Sequence, residues 1–177
     1  MQDVLLKAVE HMRDGGSDFC DARWQSINKT LVMMVDGGVR TLTEDRMAGV
    51  ALRARVRGSW GYSSLVDVGR ETILEAADKA VRNARCGTTL SKPILDRPGR
   101  KAKVKASVKE HPSVVSLEEK LSLIRDLDRA QKVDQRVVNT NAIYREETRN
   151  SSLANSFGDE LEWEEVRLRV IAESIAS

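Results

Sequence analysis

One stretch of the sequence, residues 47–64, constrains the fold more than any other. Its apolar residues alternate with residues that include three arginines, which is the period of a β-strand with one buried face. Arg57-Gly58 can then turn the chain back into a short aromatic strand at 59–64. We expect the apolar set to face a core and the arginines to face solvent, so that Leu52→Asp unfolds the protein and Arg55→Ala is nearly silent. The apolar set is Val50, Leu52, Ala54 and Val56, and the arginines are Arg53, Arg55 and Arg57.

The returning strand places aromatic side chains beside glycines. Trp60 and Tyr62 stand next to Gly58 and Gly61. Glycine leaves backbone groups accessible, so this segment predicts a face that can offer hydrogen bonds and an aromatic surface to a ligand. A tryptophan more often buries its large apolar ring in a core, and that alternative stays open.

The remaining patterns predict three helices and a sheet. Apolar residues recur at helical spacing over 4–12, over 70–85 and after a capping box at Ser116–Glu119. Strand runs joined by local turns predict an α+β fold, with an antiparallel sheet and helices packed on one face. The strand patterns cover 19–30, 31–35, 39–42, 49–56 and 60–64 as a meander of four or five strands, 104–108 as an edge strand, and 137–149, 151–156 and 160–174 as a closing group.

The 177 residues predict one domain, with possible sub-blocks at 1–87 and 103–177 joined by a basic linker over 88–102. Net charge is only +2, although basic residues crowd 97–109 and acidic residues crowd 159–165. We interpret these runs as a solvated loop and a solvated strand face. The sequence has no signal peptide and no apolar stretch of membrane-spanning length, so we expect a cytoplasmic protein. A final strand ending three residues before the C-terminus predicts a piece of a longer chain.

The residues do not predict a self-sufficient active site. The two histidines, His11 and His111, have no second ligand at metal-site spacing, and the two cysteines, Cys20 and Cys86, lie far apart. No phosphate-binding glycine motif occurs. We therefore expect no catalytic residue and no metal site in this chain, with surface or structural histidines and reduced, buried thiols.

Several segments in order resemble the N-terminal half of the TldD/PmbA family, whose members are described as zinc metallopeptidases and as candidate modulators of DNA gyrase. The helix at Ser116 and the strand at Arg167–Val170 resemble the TldD branch more closely than the PmbA branch. The matching segments are Asp18–Trp24, Val35–Gly38, Ala48–Arg53, Gly58–Ser64, Ser116–Leu121 and Asn155–Gly158.

The resemblance implies a function that this chain performs only in part. Family peptidases carry an HExxxH motif and a later cysteine, which hold zinc in a C-terminal domain, and this sequence has neither element. The resemblance thus implies a non-catalytic N-terminal domain that shapes a cavity for small or unfolded polypeptides within a homodimer, or a heterodimer with a family paralogue. The expected substrate-binding residues are Trp60, Gly61, Tyr62 and Asn155.

Two other interpretations stay open at this point. One is a stand-alone module that binds another protein through its sheet or its basic loop. The other is a nucleic-acid-binding sheet, because arginines at 53, 55 and 57 interleave with Trp60 and Tyr62 and a basic run follows at 97–109. Arginines on the wet face of any sheet give the same pattern, so nucleic acid is not the expected partner.

Overall fold

The computed structural model describes residues 1–66, 68–88, 94 and 97–177. Over these residues the chain is an α+β protein whose six strands form one mixed, mostly antiparallel sheet in the order β3-β2-β1-β5-β6-β4. The expected linker at 88–102 falls partly at 89–93 and 95–96, outside the described residues. The elements are α1 (Gln2–Asp14), β1 (Phe19–Val35), β2 (Gly38–Val56), β3 (Ser59–Leu65), α2 (Arg70–Cys86), β4 (Lys101–Val104), a 3₁₀ turn (Pro112–Val114), α3 (Leu117–Gln131), β5 (Val137–Asn155) and β6 (Glu160–Ala176).

The helices and turns follow the local sequence signals. All three helices form where the apolar stripes predicted them, and Ser116 and Glu119 make the expected reciprocal capping box. The turns at Asp36-Gly37 and Arg57-Gly58 each hold two consecutive residues at positive φ, between 51° and 86°. Such turns match the twist of a two-stranded hairpin, which explains why both hairpins form.

The strands are fewer and longer than predicted. The expected meander of four or five strands is three strands, because β1 runs through 19–35 and β2 through 38–56 without a break. Likewise, 137–149 and 151–156 join into β5. Polar residues interrupt the alternation at these places, yet no proline interrupts the backbone, so ladder pairing continues. The edge strand lies at 101–104 instead of 104–108 and runs parallel to β6.

The chain divides into two compact units, and neither is a continuous stretch of sequence. Unit 1 comprises Met1–Ser26, Ala48–Lys105 and Asn150–Glu164, and unit 2 comprises Ile27–Met47, Ala106–Arg149 and Glu165–Ser177. No described helix is long and apolar enough to cross a membrane.

In unit 1, α1 and α2 pack on one face of the strands. The four apolar residues of β2 lie in this core as predicted, with Leu52 and Ala54 fully buried. The expectation that Arg55 faces solvent is wrong: it is 8% exposed, and its guanidinium lies 2.9 Å from the Asp18 carboxylate. An arginine can be buried on the face away from the helices because a neighbouring carboxylate compensates its charge.

In unit 2, α3 covers strands β1 and β5. Its Ile124 packs with Val32, Met34, Ala142 and Tyr144. Beside this core, the carboxylate of Glu146 accepts hydrogen bonds from Lys120 Nζ at 2.7 Å, from Thr30 Oγ1 at 2.9 Å and from the Tyr144 hydroxyl. Burial, together with the bond to that carboxylate, raises the pKa of Tyr144. The network satisfies a nearly buried ion pair between α3 and β5.

The two charge runs, interpreted above as separately solvated, pair with each other. β4 places Lys101 Nζ 2.5 Å from Glu160 and Lys103 Nζ 2.5 Å from Glu162. Arg97 adds a third pair with the buried carboxylate of Asp159. Alternate residues of neighbouring strands share a face, which explains the two-residue spacing of both runs.

Candidate substrate-binding face

Four aromatic side chains cluster in unit 1 on the side of the sheet away from the helices. Along β1, Phe19 and Asp21 alternate with Cys20 and Ala22, and the latter two lie in the core under the helices. Phe19 therefore points to the opposite face. We call the cluster there the aromatic face; its members are Phe19, Trp60, Tyr62 and Phe157.

Phe19 is the centre of the aromatic face. Its ring centroid lies 5.8 Å from that of Trp60 in an edge-to-face arrangement and 5.0 Å from that of Phe157. Trp60 in turn stacks on Tyr62 at 6.4 Å. These separations are in the range where aromatic pairs stabilise one another. Tyr62 is 58% exposed, so the outer end of the stack is open to a ligand.

Ion-paired arginines border the aromatic face. The Arg53 guanidinium lies 5.3 Å from the Trp60 ring centroid and donates to Asp21 at 2.5 and 2.8 Å. Its hydrogen bonds to that carboxylate raise the pKa of Arg53. At the other end, Arg97 lies 5.5 Å from the Phe157 ring centroid. These cations pack against rings while carboxylates neutralise them, which favours an aromatic recognition surface over a bare basic one.

The outer edge of β3 lies beside the aromatic face, because β3 is the last strand on its side of the sheet order. Val56 and Ser59 are opposite each other at the two-residue turn and form a hydrogen-bonded pair. Every second residue of β3, starting at Ser59, therefore hydrogen-bonds to β2 through its backbone. Trp60, Tyr62 and Ser64 therefore direct their N–H and C=O groups away from β2. The Asn83 side-chain amide donates to the Tyr62 carbonyl at 2.9 Å, which agrees with this assignment.

The expectation that Gly61 leaves its backbone accessible is wrong. It is buried against α2, and a Cβ there would lie 2.9 Å from the Cα of Ala84 and closer still to the Ala80 carbonyl oxygen. Its role in the structure is to let the helix approach the edge strand. The expected contribution of Gly61 to substrate binding stays a prediction, whereas its packing role is visible.

Asn155 is the last residue of β5, next to the β5–β6 turn, and its side chain is buried. Its Oδ1 accepts from the backbone N–H groups of Phe157 and Asp159, both at 3.0 Å, and its Nδ2 donates to Asp159 at 2.6 Å. Bonds from Arg97, from the Arg100 backbone and from Asn155 hold the pKa of Asp159 down to about 2. Asn155 and Asp159 thus form the frame that positions Phe157.

Each histidine has a side-chain hydrogen-bond partner. His11 pairs with Asp78 at 2.8 Å, and His111 Nδ1 accepts from the Ser113 backbone at the start of the 3₁₀ turn. The expectation of buried thiols is correct for Cys20 and wrong for Cys86, which is exposed near the end of α2. Burial raises the pKa of Cys20 to about 12, which suppresses the thiolate a nucleophile needs. Among the described residues, no group of three or more His, Cys, Asp or Glu side chains is placed to hold a metal ion.

The sequence predicted two members of the aromatic face, Trp60 and Tyr62, and did not predict Phe19 or Phe157. The two-residue alternation of β1 assigns Phe19 to the face opposite Cys20, so a signal for Phe19 was present. Phe157 had no such signal, because only the folding of the β5–β6 turn against β1 brings it to Phe19.

Comparisons with known proteins identify the family. The descriptions "PmbA/TldA metallopeptidase domain 1" and "PmbA/TldA metallopeptidase central domain" match residues 20–84 and 110–177. This chain carries the first and central domains of the PmbA/TldD metallopeptidase family. A curated relative, a metalloprotease from Methanothermobacter thermautotrophicus, is 28% identical over 167 residues. That alignment covers 90% of this chain and 34% of the relative, so the chain spans about a third of the relative's length.

Three solved structures share the fold. A candidate modulator of DNA gyrase from Bacteroides thetaiotaomicron matches with a TM-score of 0.82 at 15% identity, covering 99% of this chain and 41% of that one. A second candidate modulator, from Thermotoga maritima, has a TM-score of 0.76 at 14% identity, with coverages of 97% and 39%. TldE from Thermococcus kodakarensis has a TM-score of 0.76 at 12% identity, again covering 97% and 39%. At these identities the likeness shows the fold alone.

Proposed function

We propose that this chain is the substrate-positioning portion of a PmbA/TldD metallopeptidase and that it binds extended polypeptide along the outer edge of β3. One observation carries the proposal: an edge strand with outward backbone groups at Trp60 and Ser64 lies beside an exposed aromatic stack. An extended peptide can add to such an edge through main-chain hydrogen bonds and contact the aromatic rings with its side chains. Main-chain recognition is largely independent of sequence, which suits small or unfolded polypeptide substrates.

The nucleic-acid alternative is less well supported by the charges. Arg53 and Arg55 are paired with Asp21 and Asp18, and the lysines of β4 are paired with glutamates of β6. A nucleic-acid surface needs cations that can neutralise phosphates. Here carboxylates of the same unit already occupy them.

A proline substitution at the strand edge tests the proposal. Ser64→Pro removes an outward N–H and leaves the ladder to β2 intact, because proline is tolerated at an edge position of this kind. Ser64→Ala is the matched control, since it keeps the N–H. We expect Ser64→Pro to weaken binding of a labelled unfolded peptide about tenfold, or about 1.4 kcal/mol, in fluorescence anisotropy, and Ser64→Ala to bind like the unmodified chain. Equal binding by both variants, with unchanged circular dichroism, would contradict the proposal.

The aromatic contribution needs a separate variant. If Trp60 contacts substrate, Trp60→Ala in the full-length protein should lower kcat/KM for a peptide about tenfold at unchanged thermal stability. If Trp60 only fills the aromatic face, the same variant should lose thermal stability and keep its turnover per folded molecule.

The rest of the proposal is that this chain forms part of a longer protein. We propose that its zinc and its HExxxH motif lie outside this chain, that it cleaves peptides in the cytoplasm, and that it belongs to the TldD branch. We also propose that it pairs with itself or a family paralogue. In unit 2, Val39, Leu42 and Met47 on β2 and Leu168, Val170 and Ile175 on β6 are 42–59% exposed, which supports a covering partner.

Those exposed apolar residues also favour the alternative function, a stand-alone protein-interaction module. Sedimentation and peptide binding, measured on the unmodified chain and on Leu42→Lys, separate the two functions. A substitution that disrupts only pairing should change the sedimentation coefficient and leave peptide binding by the β3 edge intact. An interaction module with no substrate role would show no affinity for unfolded peptide in either form.

A further inference from the structure

A groove of about 570 Å³ in unit 2 contains two arginines that face each other across a pair of strands. Arg145 on β5 and Arg169 on β6 both line it, and both side chains are exposed. Their relation follows from the contacts on either side of them along the strands. The Asn141 amide donates to Glu173 at 3.0 Å.

A second contact between β5 and β6 lies on the other side of Arg145 and Arg169 along the strands. The Arg149 guanidinium lies 3.7 Å from the Glu165 carboxylate. Arg145 lies midway between Asn141 and Arg149 on β5, and Arg169 lies midway between Glu165 and Glu173 on β6. Because the two strands are antiparallel, the two arginines are directly opposite each other. Like charges in that position destabilise a sheet, whereas opposite charges stabilise it.

Neighbouring cations on β1 and β6 have carboxylate partners. Lys29 lies 3.6 Å from Glu147, and Arg167 lies 3.5 Å from Glu165. Within the part of the chain that the structure describes, neither Arg145 nor Arg169 is within 4.0 Å of a carboxylate.

The other carboxylates that line the groove are engaged or distant. Glu146 is held by Lys120, Thr30 and Tyr144. Asp45 lies on β2, which is separated from β5 by β1, a distance of about 9–10 Å between strand axes. The paired arginines therefore carry an uncompensated positive charge in a concave site.

We propose that Arg145 and Arg169 form a carboxylate-binding pair that holds the C-terminal carboxylate of a bound polypeptide. This inference rests on the proposed function, because it assumes that the chain binds polypeptide. Guanidinium groups present planar pairs of N–H donors that match a carboxylate. Glu147 and Glu165, bonded to Arg149 and Arg167, flank the pair with negative charge. That pattern suits a single localised anion and disfavours the continuous charge of a nucleic acid.

Two forms of one peptide, tested on the unmodified chain and on arginine variants, test whether Arg145 and Arg169 bind a C-terminal carboxylate. The probe is a short N-terminally labelled peptide without acidic side chains, prepared as the free acid and as the C-terminal amide. We expect the free acid to bind at least fivefold more tightly in fluorescence anisotropy. Arg145→Gln and Arg169→Gln should abolish that preference. Arg125→Gln, at an exposed arginine of α3 outside the groove, should keep it.

The outcomes separate this inference from the function it rests on. Equal affinity for the acid and the amide would overturn the carboxylate site and leave β3 edge binding in place. Absence of all peptide binding would overturn both. Tighter binding of a single-stranded oligonucleotide than of the peptide acid, with the same dependence on Arg145, would show that the site binds phosphate and would overturn the carboxylate assignment. An amide peptide ending in aspartate that matches the free acid would show recognition of side-chain carboxylates and overturn the C-terminal assignment.

A stability measurement checks the geometry without any ligand. Arg169→Glu replaces a like-charge pair by an ion pair with Arg145, so it should raise the Tm by about 1–2 °C and remove the free-acid preference. A lowered Tm, with the circular dichroism spectrum unchanged, would show that the two guanidiniums do not oppose each other.

Discussion

Replacing Gly61 by alanine tests the packing of α2 on the edge strand. A Cβ at this position would lie 2.9 Å from the Cα of Ala84 and closer still to the Ala80 carbonyl oxygen. Both neighbours belong to the helix backbone and cannot rotate away, so α2 must move outward by about 1 Å, which weakens many contacts in the core at once. Overpacking alone costs about 1–3 kcal/mol, and we expect Gly61→Ala to lose about 3 kcal/mol of unfolding free energy.

Chemical and thermal unfolding followed by circular dichroism measure this loss. For a chain of this length, 3 kcal/mol corresponds to a fall in Tm of roughly 6–12 °C. Gly38→Ala is the matched control: its φ is not positive, and a Cβ there would meet only the Val35 carbonyl, at an ordinary 3.5 Å. A loss below about 1 kcal/mol in Gly61→Ala would refute the close helix–strand contact. Weakened peptide binding at full stability would instead restore Gly61 to the substrate site.

Three further predictions follow from buried charges. Arg55→Ala should lower the unfolding free energy by about 1–2 kcal/mol, because it removes a nearly buried side chain together with its bond to Asp18; a silent variant in urea denaturation would return Arg55 to the solvent face. Asp159 has a pKa lowered to about 2 from 3.8, so its stabilisation is nearly complete above about pH 5 and is lost as the pH falls from there through 2. Over that window Asp159→Asn should flatten the pH dependence of Tm, and an identical dependence in both proteins would contradict the assignment. Lys120→Ala should cost about 3 kcal/mol, measured in urea, because it leaves Glu146 nearly buried without its cation; a loss under 1 kcal/mol would show that water replaces the lysine.

The amino-acid sequence by itself determined the features that depend on neighbours within a few positions. The apolar stripes gave all three helices, Ser116 and Glu119 formed their capping box, and Asp36-Gly37 and Arg57-Gly58 formed the hairpin turns. The alternation in β2 also assigned Leu52 to the core correctly. These signals succeed because helix capping, turn conformation and strand alternation are settled by local backbone geometry.

Only the tertiary structure decided the features that join distant residues. Lys101 and Lys103 meet the glutamates of β6 because β4 runs parallel to it, and Arg145 meets Arg169 through the β5–β6 register. Gly61 became a packing residue because α2 folds back onto its own hairpin, which no pattern around residue 61 specifies. Such contacts depend on which strands pair and in what register, and those choices are made by the burial of whole faces rather than by any local preference.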